Sequence, residues 1–236
     1  MNIGVILAGG VGMRMGNVDI PKQFIEIYGK PLIVHTMESF DTHPEIDGIV
    51  IVALKEWHED IRIWLRKYEI NKVKAIVDGG STRQESIYNS LEYLNTYMEA
   101  DDIVVIHDAA RPLISHRIIT DNIKYTKEYG AVDTVIPTAD TIIRSLDAKT
   151  IKDVPTRKEL YLGQTPQSFK YSIISEAHKK VIGSKVKDAT DDCQLVLKMN
   201  RDVYLVEGEK LNFKITTPED LLLLKSIIKL SKLERV

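Results

Sequence analysis

Four aliphatic runs, three of them closed by a turn of small residues, most constrain how this chain can fold. Ile3 to Leu7, Ile49-Val50-Ile51-Val52-Ala53-Leu54, Lys74-Ala75-Ile76-Val77 and Ile103-Val104-Val105-Ile106 read as strands. Ile49 to Leu54 is apolar without alternation, as a strand covered on both faces is. Segments of helical character separate the strands: Pro31 to Phe40, Glu56 to Lys67, about Arg83 to Thr96, and Arg117 to Glu128, which precedes another strand from Ala131 to Ile136. Alternating strand and helix implies parallel strands with helices on both faces, a three-layer α/β arrangement. Such sheets bind ligands beyond the carboxyl ends of their strands. The turns Ala8 to Gly12, Asp78 to Ser81 and His107 to Arg111 all lie at those ends, so three loops converge on one crevice.

The first turn carries the most chemistry. Gly4-Val5-Ile6-Leu7-Ala8-Gly9-Gly10-Val11-Gly12-Met13-Arg14-Met15-Gly16 runs from a buried strand into a glycine loop, and Pro21-Lys22-Gln23 follows. Glycines let the backbone curl tightly and approach a ligand. A turn rich in backbone N–H groups cradles anions, and Arg14 and Lys22 add full positive charge. The loop reads as a cradle for a nucleoside triphosphate. It is not the dinucleotide fingerprint, because Met15 stands where the third glycine belongs; nor is it a P-loop, because no Lys follows Gly12 or Gly16. A plain α/β turn would explain the glycines alone but not the two cations.

The pattern changes after the fifth strand. Thr141-Ile142-Ile143-Arg144-Ser145 and Thr150-Ile151-Lys152-Asp153-Val154 flank Asp147-Ala148-Lys149 and read as a β-hairpin excursion, an arm over 138–160. A two-stranded arm needs something to pack on, and a second subunit would serve. Tyr161 to Phe169 returns to the main body. Short helices follow near Ser172 to Lys180 and Asp191 to Met199, with strands at Val203 to Val206 and Phe213 to Ile215. Thr217-Pro218-Glu219-Asp220 opens the last helix with a cap, a first-turn Pro and first-turn acids. Residues 1–236 read as a single domain with this arm.

Composition narrows the classes. The net charge of −2 advertises no nucleic-acid partner. The single cysteine, Cys193, cannot form an internal disulfide, which fits a reducing cytoplasm. The N-terminus opens straight into a strand pattern and reads as no signal peptide. No apolar run reaches the length of a membrane span. The expectation is a cytoplasmic protein without a membrane or nucleic-acid partner. The six histidines have no metal-ligand spacing with Cys193, and His107 reads as structural.

Taken together, the motifs carry a family likeness. Leu7-Ala8-Gly9-Gly10, Gly12, Arg14-Met15-Gly16 and Pro21-Lys22-Gln23-Phe24 resemble the opening of the cytidylyltransferases of the 2-C-methyl-D-erythritol 4-phosphate and ribitol 5-phosphate type. Gly79-Gly80 with Arg83 and Ser86, His107-Asp108-Ala109-Ala110-Arg111-Pro112, Gln164-Thr165-Pro166-Gln167 and Asn212-Phe213-Lys214-Ile215-Thr216 resemble later motifs in the same order. The resemblance implies a Rossmann-like sheet and transfer of CMP from CTP to a polyol phosphate, with Mg²⁺ or another divalent cation. It implies that Arg14, Lys22 and Lys214 are catalytic. Leu7, Ala8, Gly9, Gly10, Gly12, Gly80, Ser81, Arg83 and Ser86 would bind the nucleotide. Asp108, Arg111, Thr141, Arg157 and Thr165 would meet the acceptor, and Asp108 would also be the one candidate metal contact. It further implies a homodimer in which the arm lends Thr141 and Arg157 to the neighbouring site.

The acceptor is read from finer detail. Ala8-Gly9-Gly10, Pro21 to Phe24, Asp133-Thr134-Val135-Ile136, Asp140-Thr141-Ile142 and Leu160 to Phe169 resemble the pentitol branch, whereas Asp108 to Pro112 and Ser86 resemble the methylerythritol branch. The balance favours ribitol 5-phosphate, feeding a teichoic-acid or capsule-type polymer. The alternative is 2-C-methyl-D-erythritol 4-phosphate, feeding isoprenoid synthesis. A nicotinamide oxidoreductase is disfavoured by the incomplete fingerprint, and a non-catalytic nucleotide-binding module by the cations it would not need.

Overall fold

The computed structural model describes residues 1–10, 20–182 and 191–233. Its strands are β1 (Asn2–Ala8), β2 (Glu26–Ile27), β3 (Lys30–Pro31), β4 (Gly48–Ala53), β5 (Val73–Asp78), β6 (Ile103–Asp108), β7 (Ala131–Pro137), β8 (Tyr161–Lys170) and β9 (Tyr204–Glu207). Its helices are α1 (Leu32–Asp41), α2 (His58–Lys67), α3 (Arg83–Leu94), α4 (His116–Tyr129), α5 (Tyr171–Ile182), α6 (Asp192–Leu197) and α7 (Pro218–Leu233). β2 and β3 form a small antiparallel ribbon. The other strands form one seven-stranded sheet in the order β5-β4-β1-β6-β8-β7-β9.

The sheet is α/β and mostly parallel, as the alternation of elements predicts. β1 pairs in parallel with β4 and β6, β4 with β5, and β7 with β9. β8 is the exception and runs antiparallel to both β6 and β7. Sequence reading gave Tyr161 to Phe169 no strand type: it reaches its place through the arm, not through a crossover helix, and so enters the sheet from the opposite end. The apolar strands bury both faces. Ile33 and Met37 of α1, Ile61 of α2 and Ile118 of α4 pack on one side. Ile87 and Leu91 of α3, Ile174 of α5 and Val196 of α6 pack on the other. Leu224 and Ile228 of α7 close a third cluster over Ile27, Leu32, Ala110 and Ile215.

Helix ends follow local chemistry. The Thr82 hydroxyl accepts from the Glu85 N–H at 3.0 Å, and the Asp191 carboxylate from the Gln194 N–H at 2.9 Å. Gly130 ends α4 at φ 86, a left-handed position where glycine is unstrained. At α7 the Asp220 carboxylate accepts from the N–H groups of Thr216 and Thr217, while the Asp220 N–H donates to the Thr217 hydroxyl. The cap read from Thr217 and Pro218 therefore forms.

Two readings need correction. Phe213 to Ile215 is not a strand: β1 and β8 already flank β6, so the segment is held by the Ile215 N–H donating to the Ala110 carbonyl at 2.8 Å. The arm is not a regular hairpin either. It holds one antiparallel bridge, Arg144 to Asp153, and a turn in which the Asp147 carboxylate accepts from the N–H groups of Lys149 and Thr150. Ile143, Leu146, Ile151 and Val154 stand exposed on it, and a lone two-stranded ribbon with nothing to cover its side chains does not zip into a ladder. No described helix is long and apolar enough to cross a membrane.

Candidate active site

The strand order reverses at β1: β4 and β5 lie to one side of it and β6 to the other. That switch point opens a crevice at the carboxyl ends of β1 and β6. Asp108, the last residue of β6, stands in register with Leu7, and the Ala109 N–H donates to the Leu7 carbonyl at 3.0 Å. The sequence-predicted loops do meet here. A Cβ added to Gly9 would lie 3.5 Å from Ser86 Oγ and 3.7 Å from Gly79 Cα, so the β1 and β5 turns touch through small groups. The Gly80 N–H donates to Ser86 Oγ at 3.0 Å, and Ser86 Oγ donates to the Thr82 carbonyl at 2.9 Å. Ser81 gives its N–H and hydroxyl to the Glu85 carboxylate at 2.7 and 2.6 Å. A Cβ at Gly80 would fall 2.3 Å from Glu85 Cγ, so any larger residue there displaces Glu85. Gly12 and Arg14 lie outside the described residues.

On the other wall, Asp108 gathers several of the residues that the sequence led us to expect at the acceptor. Lys214 Nζ lies 2.9 Å and Arg111 Nε 3.7 Å from its carboxylate. Burial pushes the Asp108 carboxyl upward, but Lys214, then Arg83 and Arg111, outweigh it and hold the group far below the usual carboxylate range. The Asp108 N–H donates to Thr165 Oγ1 at 3.1 Å, and Thr165 Oγ1 meets His107 Nδ1 at 2.9 Å. His107 Nε2 faces the Arg111 carbonyl at 3.1 Å. A carbonyl only accepts, so Nε2 carries the proton and Thr165 donates to Nδ1. Burial lowers the His107 pKa to about 4, which keeps the ring neutral. His107 is thus a brace behind the site.

Lys214 is carried by a segment pinned on several sides. Arg111 Nη1 donates to the Asn212 carbonyl at 2.8 Å, and Asn212 Nδ2 donates to the Thr165 carbonyl at 2.7 Å. The Ile215 N–H is held by Ala110, and the Ile215 carbonyl accepts from Lys22 Nζ at 2.7 Å. Lys22 is therefore tied to the backbone one residue beyond Lys214, whose amine lies on Asp108.

Thr141 and Arg157 stand apart from this cluster, whereas Arg83 reaches Asp108 with its charge and bonds to another carboxylate. Arg83 Nη1 donates to Asp192 Oδ2 at 2.6 Å, and Asp192 Oδ1 pairs with His178 Nε2 at 2.9 Å. Arg83 thereby ties α3 to the start of α6. Thr141 and Arg157 lie exposed on the arm, where Arg157 Nη1 donates to the Ala139 carbonyl at 3.2 Å. Sequence reading missed Gln23 and Asn212, although both stand inside motifs it quoted. It also missed Asp192 and His178, which no local pattern links. Among the described residues no group of three His, Cys, Asp or Glu side chains could hold a metal ion. A single carboxylate among cations suits a divalent ion carried mainly by phosphates and water.

A crevice lined by amide-rich turns, with two lysines, an arginine and one carboxylate, is suited to a nucleotide and a second anion. Comparison with known proteins agrees. The sequence model of the family described as IspD: 2-C-methyl-D-erythritol 4-phosphate cytidylyltransferase matches residues 3–230. The chain is similar to 4-diphosphocytidyl-2C-methyl-D-erythritol synthase from Anaerococcus prevotii DSM 20548, at 29% identity and a TM-score of 0.83, over 97% of this chain and 96% of that one. It is similar to 2-C-methyl-D-erythritol 4-phosphate cytidylyltransferase from Francisella tularensis, at 28% identity and a TM-score of 0.80, over 94% and 97% of the two chains. The enzyme of that name from Thermus thermophilus matches at 27% identity and a TM-score of 0.73, over 95% and 98%. The chain belongs to the 2-C-methyl-D-erythritol 4-phosphate cytidylyltransferase family and is a nucleotidyltransferase.

Proposed function

We propose that the chain transfers CMP from CTP to 2-C-methyl-D-erythritol 4-phosphate and releases pyrophosphate. The family match and the similar structures, whose names carry that acceptor or its cytidylyl product, support it over ribitol 5-phosphate.

The observation that carries the reading is the Lys214 amine on the buried Asp108, with Lys22 tied to the carbonyl of the next residue, Ile215. The attacking phosphate oxygen is already ionised at neutral pH, so no general base is needed. It adds to the α-phosphorus as the bond to the bridging β-phosphate oxygen breaks, and that oxygen leaves with the pyrophosphate. The difficulty is bringing two anions together. Positioning and fixed positive charge overcome it. Lys22, Lys214 and Arg14 hold the phosphates. The backbone from Ala8 to Gly12, with Gly80, Ser81 and Ser86, holds cytosine and ribose. Asp108, Thr165 and Arg111 form the acceptor wall, with Asp108 orienting Lys214. Asp108 would be the protein's contact to a Mg²⁺ ion held mainly by the triphosphate, and that ion would supply further charge neutralisation.

The arm supports a homodimer. Leu146 is 77% exposed, Ile151 61% and Ile143 55%, and apolar side chains this exposed mark a surface meant to be covered. A second copy would cover them and receive Thr141 and Arg157 at its own acceptor wall. The activity is tested by pyrophosphate release from CTP and Mg²⁺ with each polyol phosphate in turn. Release with 2-C-methyl-D-erythritol 4-phosphate is expected. Release with ribitol 5-phosphate alone overturns the acceptor, and release with neither overturns the transfer.

A further inference from the structure

We propose that Gln23 is the positioning residue that sets the mouth of the glycine loop for CTP, an inference that rests on reading that loop as the nucleotide cradle. Gln23 is 3% exposed. Its side-chain Nε2 donates to the Ala8 carbonyl at 2.6 Å and to the Gly10 carbonyl at 2.8 Å. A carboxamide has two N–H donors, and here both go to the carbonyls that flank Gly9. The peptide unit is planar, so fixing the Ala8 carbonyl also fixes the Gly9 N–H on its opposite side. A Cβ at Gly10 would meet no described atom within 4 Å, so the Gly10 clamp point is not crowded by other described residues.

The neighbours of Gln23 explain why it can act as a fixed point. Phe24 stacks on Trp57 at 4.4 Å between ring centroids and lies 5.6 Å from Trp64, which anchors the turn in the core under α2. Lys22 reaches the Ile215 carbonyl. Three consecutive residues thus tie together the apolar core, the glycine loop and the segment carrying Lys214. Gln23 thereby sets the spacing between the amides that receive the nucleotide and the cations that receive its phosphates.

The chemistry of the clamp dictates its test. Gln23→Glu is isosteric but turns carboxylate oxygens toward two carbonyls, and one donor returns when the new carboxyl takes up a proton. Gln23→Met keeps the volume and removes both donors without repulsion, and serves as the second variant should the first fold poorly. CTP affinity by titration calorimetry, and KM and kcat by pyrophosphate release, are measured for both variants and the wild type from pH 6 to pH 9. For Gln23→Glu at pH 8, CTP Kd and KM rise at least about tenfold, the scale of a lost buried hydrogen bond, while kcat changes less. The defect shrinks toward pH 6, a trend that Gln23→Met and the wild type lack. CTP Kd and KM unchanged in both folded variants, or a loss confined to kcat, overturns the role. A wild type that binds CTP but transfers nothing to 2-C-methyl-D-erythritol 4-phosphate counts against the proposed reaction alone, because calorimetry still reads the clamp.

Discussion

Lys214 Nζ lies 2.9 Å from the carboxylate of Asp108, which is 12% exposed, while Lys214 is 40% exposed. The aspartate is the buried member and the lysine the one that faces the crevice. The pair therefore aims a cation at the crevice more than it stabilises the fold. Asp108→Asn keeps the N–H that donates to Thr165 but leaves Lys214 and Arg111 without a counter-charge. Pyrophosphate release is expected to fall at least about tenfold, and stability by about 1–3 kcal/mol, the range for a partly buried charged partner. Steady-state kinetics and urea denaturation at pH 7.5 check both.

Asp133 predicts a substitution that stabilises. Burial, opposed by the Gln167 hydrogen bond and reinforced by Asp191, raises its pKa from 3.8 to about 6. A carboxyl with a raised folded pKa costs stability as pH rises: the unfolded chain gives up its proton near pH 3.8, the folded one only near 6. Above pH 6 the full cost is present, and below 3.8 there is none. Asp133→Asn still accepts from Gln167 Nε2 and removes the charge. It should be more stable than the wild type by about 1–2 kcal/mol at pH 8 and no more stable at pH 3.5. Equal denaturation midpoints at pH 8 would show that Asp133 ionises there without cost.

Much of this arrangement was legible in the sequence, and for physical reasons. The unbroken run from Ile49 to Leu54 could only be a buried strand, and β4 is buried throughout. The three turns met because parallel strands put all their carboxyl ends on one side. Lys214 was legible from its motif, but its partner was not: Asp108 and Lys214 are joined by the path of the 212–215 segment, and sequence spacing carries no trace of that path. Arg83 was read with the nucleotide residues because it follows Gly79-Gly80, yet its guanidinium is held by Asp192, which packing of α6 beside α3 brings close. Phe213 to Ile215 misled because a β-like triplet looks the same whether it joins a sheet or crosses its end. The arm misled in another way: its apolar residues read as paired strands, yet nothing among the described residues covers them.

The arm offers a test by mixing subunits. If Thr141 and Arg157 serve the neighbour's site, Lys214→Ala and Arg157→Ala spoil different chains of each site. A dimer of one variant with the other then keeps one intact site. Unfolding and refolding the two inactive proteins together should restore about a quarter of wild-type activity, as random pairing in a twofold dimer requires. Each variant alone stays inactive. A mixture as inactive as its components would place Arg157 in its own subunit's site or in none.

Lys22→Ala should separate chemistry from folding. The side chain is half-buried and bonds a carbonyl at the crevice, so its loss should cost about 1 kcal/mol of stability. Turnover should drop at least about a hundredfold, the scale of removing one donor aimed at developing charge. The thermal midpoint and kcat of the purified variant give both numbers. Lys22→Arg, which keeps the charge with another geometry, should recover part of the loss.

The most direct measurement is the rate of pyrophosphate release by Lys214→Ala at saturating CTP, Mg²⁺ and 2-C-methyl-D-erythritol 4-phosphate, with circular dichroism recorded on the same sample. A folded variant slower than the wild type by at least about a hundredfold is expected where a fixed cation offsets the repulsion between two phosphates. A folded variant that releases pyrophosphate at the wild-type rate would contradict it, and with it the claim that the Lys214 cation serves to join two anions.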